Sequence, residues 1–94
     1  MLRDAFGITG GPPEQVVLRF VPDVAPLVRE RRWHATERVE PLEDGCVRLS
    51  MAVAVAPELR EWILGFGGNV VVESPVSLAQ WVRAEHLAAA SRYG

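Results

Sequence analysis

Residues 43–53 read EDGCVRLSMAV, and this stretch decides the fold. Apolar residues alternate from Val47 to Val53, which predicts a strand with one face turned toward a core. Asp44-Gly45, just before the strand, is a strong signal for a tight turn between two strands. Residues 35–54 are therefore predicted to form a β-hairpin.

One strand and one short helix are predicted upstream of the hairpin. Residues 16–20, VVLRF, place every second apolar side chain on one face, which indicates a strand. Asp23 can cap a helix that runs through Arg31, with Pro26 tolerated in its first turn. The predicted inward side of this helix consists of Val24, Leu27, Val28 and Arg31.

Two helices and one strand are predicted downstream. Pro57 opens a helix with apolar residues at helical spacing, and Gly67-Gly68 is expected to stop it. Residues 69–73, NVVVE, contain three consecutive valines, which favours a strand buried on both faces. Ser74-Pro75 begins a last helix that reaches Tyr93. The side chains predicted to share one side of this helix are Leu78, Trp81, Val82 and Glu85.

The resulting order, β-α-β-β-α-β-α, predicts an α+β fold. Two split β-α-β units around a central hairpin are typical of the ferredoxin-like βαββαβ two-layer sandwich, here with an extra C-terminal helix. That helix is expected to cover the sheet or to pack against a partner. The predicted core consists of Leu18, Phe20, Leu49, Met51, Trp62, Ile63, Phe66 and Val72.

The chain has 94 residues, 49% of them hydrophobic, which suits a single domain. Residues 15–94 are predicted to form that domain, because Gly10-Gly11-Pro12-Pro13 breaks both helix and strand. Residues 1–14 are accordingly interpreted as a linker with the remnant of an upstream region. A short tail folded over the domain's own core is the alternative.

Charge and cysteine content exclude several classes of protein. A formal net charge of −2 does not suit a stand-alone nucleic-acid-binding domain. Cys46 is the single cysteine, so the chain has no internal disulfide and no multi-cysteine metal site. The sequence has neither the apolar segment of a signal peptide nor that of a membrane span. We expect a soluble protein of the reducing cytoplasm, without contact to membranes.

Few residues are candidates for chemistry. His34 and His86 are the two histidines, and neither has a neighbour at metal-ligand spacing, so we expect no metal, cofactor or catalytic group. Gly65 to Gly68 follow a helix, whereas phosphate-binding loops precede one. The glycines are better explained as a helix stop.

Residues 29–38, RERRWHATER, are the one dense polar and aromatic segment. Guanidinium groups beside an indole can hold a phosphate, a carboxylate or a stacked base. The acids between the arginines favour a self-paired, solvated helix end, with Trp33 packed as a lid on the core. The residues predicted for a ligand or partner contact are Arg29, Arg31, Arg32, Trp33, His34 and Arg38.

Several segments together resemble a known family. They are Val16-Val17-Leu18-Arg19-Phe20, Val28-Arg29-Glu30-Arg31 with Trp33-His34, Asp44-Gly45, Glu58-Leu59 with Trp62-Ile63-Leu64-Gly65-Phe66-Gly67, and Val72 with Pro75 and Leu78. In order and spacing they are similar to the C-terminal extension called WCX. The resemblance runs from about Gln15 to Leu87, and none of its motifs is catalytic.

This resemblance implies the C-terminal domain of a bacterial transcriptional regulator. In such proteins the extension follows a WYL domain, the proposed sensor of small or nucleic-acid ligands, and a helix-turn-helix domain contacts DNA. A ferredoxin-like extension would contribute to dimerisation and signal transmission without being an enzyme. Its expected partners are a second copy and the WYL domain of the same protein.

Two alternatives remain open at this point. An RRM-like module that binds single-stranded nucleic acid shares the order of elements, but it needs aromatic side chains exposed on its central strands. A small dimeric ferredoxin-like enzyme needs a polar pocket, which only the segment from Arg31 to Arg38 can supply.

The last helix is predicted to form an interface. Trp81, Leu87 and Tyr93 are more apolar surface than an extra helix readily buries, and large aromatic residues are enriched at interface centres. Small side chains at residues 88–90 would let another helix approach closely. A core contact within the domain explains Trp81 equally well.

Overall fold

A computed structural model describes residues 12–93 of the chain. Most of the predicted linker, residues 1–11, lies outside the described residues. The described elements follow one another as β1 (Glu14–Phe20), α1 (Ala25–Arg29), β2 (Arg38–Pro41), β3 (Val47–Val53), α2 (Pro57–Leu64), a 3₁₀ turn (Gly67–Asn69), β4 (Val70–Ser74) and α3 (Val76–Ser91).

The four strands form one antiparallel sheet with the order β2-β3-β1-β4. In the centre, β1 pairs with β3 so that Leu18 lies opposite Leu49 and Arg19 lies opposite Arg48. The predicted α+β class is therefore confirmed for the described part of the chain, with helices and an antiparallel sheet packed together.

One face of the sheet carries the core. Burial alternates strictly along β3, where Val47, Leu49, Met51 and Val53 are buried, and the same period holds in β1. Buried residues from all three helices join this single cluster, so the helices cover the same face of the sheet. Removing these apolar side chains from water is the main force that holds the two layers together.

The hairpin between β2 and β3 confirms the predicted turn. Gly45 has a φ of 88°, a left-handed conformation that strongly favours glycine. Its neighbour Asp44 accepts a hydrogen bond from the backbone N–H of Cys46 at 3.0 Å, which lowers the pKa of this carboxyl group. The first strand of the hairpin is shorter than predicted and begins at Arg38.

The prediction for the first helix is wrong in extent and in its cap. Helix α1 has 5 residues, its N-cap is Val24, and no side chain caps it, so Asp23 does not act as predicted. Within little more than one helical turn, only positions three or four apart share a face. Ala25 and Val28 take the buried positions, and Leu27 is 59% exposed.

The prediction that the fourth strand is buried on both faces is also wrong. As the last strand of the sheet order, β4 has one face under the helices and the other open to solvent. Val70 and Val72 are buried, whereas Val71 between them is 43% exposed. The register shifts between Val17 and Leu18 of β1, so Glu73 is an extra residue in a β-bulge of β4.

The predicted core is largely confirmed, with a correction at two aromatic residues. Trp62 and Phe66 are half-buried and pack against the rim of the core, where each ring meets Phe20 edge-on, at centroid distances of 6.1 and 4.9 Å. Helix α2 ends at Leu64, before the predicted stop, and Gly67 begins the 3₁₀ turn with a φ of 59°. Leu59 of α2 is fully buried, although the predicted core omitted it.

The last helix packs within the domain. Leu78 and Val82 of α3 are buried in the core beside β4. The helix has 16 residues, and from residue 87 to residue 91 its side chains are exposed.

Candidate functional site

Trp33 closes the core at the end of α1. It is 9% exposed, its indole Nε1–H donates a hydrogen bond to the Val28 carbonyl at 3.0 Å, and its ring lies 4.9 Å from that of Trp62. Burying an indole this deeply requires a partner for its N–H group, which the end of the short helix supplies. The structure therefore places Trp33 in the position expected of a packed lid.

The four arginines of the same segment are all exposed. Arg29 lies in the last turn of α1, Arg31 and Arg32 follow the helix, and Arg38 begins β2. The guanidinium carbon of Arg31 lies 5.8 Å from the centroid of the Trp33 ring. Because Trp33 is buried, little of its ring remains for a stacked ligand, and a contact at this segment stays a prediction.

His34 belongs to a network that anchors the turn before β2. Its ring Nδ1 accepts a hydrogen bond from the Thr36 backbone N–H at 3.1 Å and lies 2.8 Å from the Thr36 hydroxyl. That hydroxyl in turn accepts from the Ala52 backbone N–H of β3 at 2.9 Å. Glu37 accepts hydrogen bonds from the backbone N–H groups of Trp33 and His34. These contacts give the imidazole a role in positioning the turn.

The open face of the sheet carries a row of charges that the sequence reading did not identify. Arg48 donates a hydrogen bond to Glu73 at 2.7 Å and forms a second ion pair with Glu40 at 3.5 Å. Arg19 lies on β1, the strand between those of Arg48 and Glu73, and its guanidinium is 3.5 Å from the Glu73 carboxylate. The hydrogen bond from Arg48 lowers the pKa of Glu73, and the charge of Arg19 acts in the same direction.

This row depends on strand order, so residue spacing alone could not reveal it. The alternation of apolar residues indicated which side chains of each strand point outward. It did not indicate which of these side chains contact one another. The outward residues of the two central strands are Gln15, Val17 and Arg19 of β1, and Arg48, Ser50 and Ala52 of β3. None of these is aromatic, so the described face offers no stacking platform for nucleic-acid bases.

Two grooves lie on either side of α3. The first, of about 250 Å³, lies between α2 and α3, and its lining includes Trp81, with the Arg60 guanidinium 5.0 Å from the ring centroid. The second, of about 390 Å³, lies between α3 and β4 and includes Leu87 and Val71 in its lining. Trp81 and Leu87 are thus not brought together but line different grooves.

Leu87 is 54% exposed, and Tyr93, just beyond α3, is 94% exposed. Within residues 12–93, no group of three or more histidine, cysteine or acidic side chains is arranged to hold a metal ion. In the same range no helix is long and apolar enough to cross a membrane.

An antiparallel sheet covered on one face by helices, with a groove on each side of the last helix, defines a small α+β domain. The chain matches the family model of the WCX domain over residues 12–90 and belongs to this family. WCX domains are C-terminal extensions associated with WYL domains, and the resemblance that the sequence indicated is confirmed. No curated protein matched the chain.

Proposed function

We propose that this chain is the C-terminal regulatory domain of a bacterial, cytoplasmic WYL-type helix-turn-helix transcriptional regulator. Membership of the WCX family is the observation that carries the proposal. The domain assembles the regulator, assists effector sensing and transmits the signal, whereas DNA binding belongs to another domain. A non-catalytic role agrees with the WCX family, which is associated with regulatory proteins.

We assign the architecture to the ferredoxin-like class. Counted from the β4 edge, the strand order is β4-β1-β3-β2, so β3 lies between the two strands that α1 connects. Likewise β1 lies between the two strands that α2 connects, and such split β-α-β units are typical of the class. Helix α3 is then an addition whose outer surface is available for contacts.

We propose α3 as the element through which the domain self-associates or docks on the WYL domain. The supporting observation is apolar surface that the domain leaves open on this helix and just beyond it, at Leu87 and Tyr93. Residues 88–90 are three alanines on the exposed part of α3, which permits close approach of a second helix. Trp81 contributes from the groove beside α2.

Analytical ultracentrifugation of the chain, alone and with the WYL domain of its parent, tests this role. The double variant Trp81→Ala, Leu87→Ala should weaken whichever association occurs by at least about tenfold, because interface energy concentrates in a few large side chains. Val76→Ala, another exposed apolar position on α3, is the matched control and should change nothing. A wild-type chain that stays monomeric and also does not bind the WYL domain would refute the proposal.

A mobility-shift assay tests the separation of roles. With a net charge of −2 the chain should not bind duplex DNA in a sequence-selective way at physiological salt. Nanomolar selective binding by this chain alone would contradict the assignment of DNA contacts to another domain.

A further inference from the structure

The groove between α3 and β4 combines an unpaired strand edge with a basic, apolar lining. Among the described residues β4 has a neighbour on one side only, because it ends the strand order. The Val21 N–H donates a hydrogen bond to the Asn69 carbonyl at 3.0 Å, which aligns with the β1–β4 register. Backbone groups alternate in direction along an antiparallel strand, so those of Val70 and Val72 point away from β1.

These outward backbone groups lie along the groove, whose far wall is α3. Val70 and Val72 turn their side chains toward the helix layer, and Ala79, Val82 and Leu87 of α3 provide apolar surface opposite. A strand that pairs with this edge would bring every second side chain against α3, because side chains of paired strands alternate together. The groove is therefore shaped for an extended backbone beside an apolar wall.

The ionisable groups of the lining are Arg83 and His86, both from α3. His86 Nε2 is buried and has no hydrogen-bond partner among the described residues, which is costly for a polar ring atom. This nitrogen is enclosed by the protein, so a carboxylate in the groove would instead accept a charge-assisted hydrogen bond from the exposed guanidinium of Arg83. None of the described residues of the lining is an acid that could take this place.

We propose that this groove is a strand-addition site for an extended segment of another domain, with a carboxylate side chain flanked by apolar ones. The inference rests on the proposed docking function and names the chemistry of the docked segment. A second copy in the same groove would bring basic linings together across a two-fold axis, which like-charge repulsion disfavours. Pairing with the edge supplies backbone hydrogen bonds, and the groove supplies selectivity.

A synthetic probe with this chemistry is the blocked heptapeptide Thr-Leu-Thr-Asp-Thr-Leu-Thr, whose leucines and aspartate share one face of a strand. It should be titrated into the full chain while amide hydrogen exchange is followed by nuclear magnetic resonance. When about nine-tenths of the chain is bound, exchange at Val70 and Val72 should slow about tenfold. The opposite sheet edge, Arg38–Pro41, should be unaffected, and N-methylation of the peptide's aspartate should abolish the effect.

Paired variants test the carboxylate contact. Arg83→Gln should weaken peptide binding roughly tenfold, and replacing the peptide's aspartate with asparagine should do the same. Combining the two changes should cost little more than either alone, because both remove one interaction. Arg92→Gln, at the C-terminal end of α3 and outside the groove lining, makes the same charge change and should leave binding unaltered.

Several outcomes would overturn the inference. Equal affinity for the aspartate peptide and the asparagine peptide would contradict the carboxylate contact. If neither the peptide nor the WYL domain slows amide exchange at Val70 and Val72, the groove is not a strand-addition site. Protection that grows with protein concentration alone would assign the groove to a second copy. Protection that disappears when residues 1–11 are deleted would assign it to the chain's own N-terminal segment. A chain that docks on the WYL domain with Arg83→Gln harmless and β4 unprotected would keep the proposed function and lose this site.

Discussion

The two faces of the sheet are built from alternate residues of the same strands, yet they are held in different ways. Leu18 is fully buried under the helices, while the next residue, Arg19, joins the ion pairs of the open face. On the covered face each side chain is stabilised by removal from water, which depends little on its particular neighbour. On the open face each charge depends on one specific partner across the strands.

This difference has an energetic side. Burial of one large apolar side chain contributes about 1.5 to 3 kcal/mol, whereas an exposed ion pair contributes about 0 to 1 kcal/mol. Arg48 and Glu73 are both partly exposed, with 34% and 29% of their side-chain surfaces accessible. The free energy of unfolding should therefore depend mainly on the covered face. The charges of the open face should mainly determine which molecules can bind to the sheet.

The largest expected effect is at Phe20, which is fully buried and touches the rings of Trp62 and Phe66. Phe20→Ala should lower the free energy of unfolding by about 3 to 5 kcal/mol, because it leaves a cavity among packed rings. Urea denaturation followed by circular dichroism measures this loss. Val71→Ala on the open face is the control and should cost less than about 1 kcal/mol. A loss below about 1 kcal/mol for Phe20→Ala would mean that Phe20 does not pack beneath the helices.

A sharper comparison uses one substitution at two adjacent positions of β1. Val16 is fully buried and Val17 is half-buried on the opposite face. Val16→Thr should destabilise by about 1 to 3 kcal/mol, because its hydroxyl loses contact with water. Val17→Thr should stay within about 0.5 kcal/mol, since threonine also suits a strand and its hydroxyl remains wetted. Similar values for the two variants would show that the faces are not distinct.

The smallest effect is expected from the ion pairs. Glu73→Gln should lower the melting temperature at pH 7 by at most about 4 °C, as is usual for exposed pairs. The pKa of Glu73 lies below its ordinary value of 4.5, so its contribution is present above that pH and disappears as the pH falls through the lowered pKa. Thermal unfolding of both proteins should therefore converge in acid. Glu43→Gln, in the exposed hairpin loop, is the control; a difference that persists in acid would exclude ionisation as its cause.

The parts of the fold that the sequence predicted well are those in which one local rule is sufficient. Alternation set the inward residues of β3, and Asp44-Gly45 set the hairpin. The three valines of β4 misled because β-branched residues favour a strand without telling whether it is central or at an edge. Asp23 failed as a cap because α1 begins only at Ala25, with Val24 in the N-cap position.

The candidate site was less predictable than the fold. The exposure of Leu87 and Tyr93 was predicted because an extra helix cannot readily bury so much apolar surface, but the two grooves depend on where α3 lies relative to α2 and β4. The row of charges that includes Glu73 is a property of strand order, which no single strand reveals. A site formed by two elements can be predicted only when their tertiary arrangement is known. The buried face of a single element can be predicted without it.

The close pair of indoles at Trp33 and Trp62 has an optical consequence. Their ring centroids are 4.9 Å apart with a tilt of 52°, an arrangement in which the electronic transitions of the two chromophores couple. Such coupling produces a paired positive and negative band in the circular dichroism of the far ultraviolet. One ring comes from the turn after α1 and the other from α2, so this band reports the meeting of two separate elements. Trp81, which lies in the groove beside α3, would instead respond in fluorescence to whatever enters that groove.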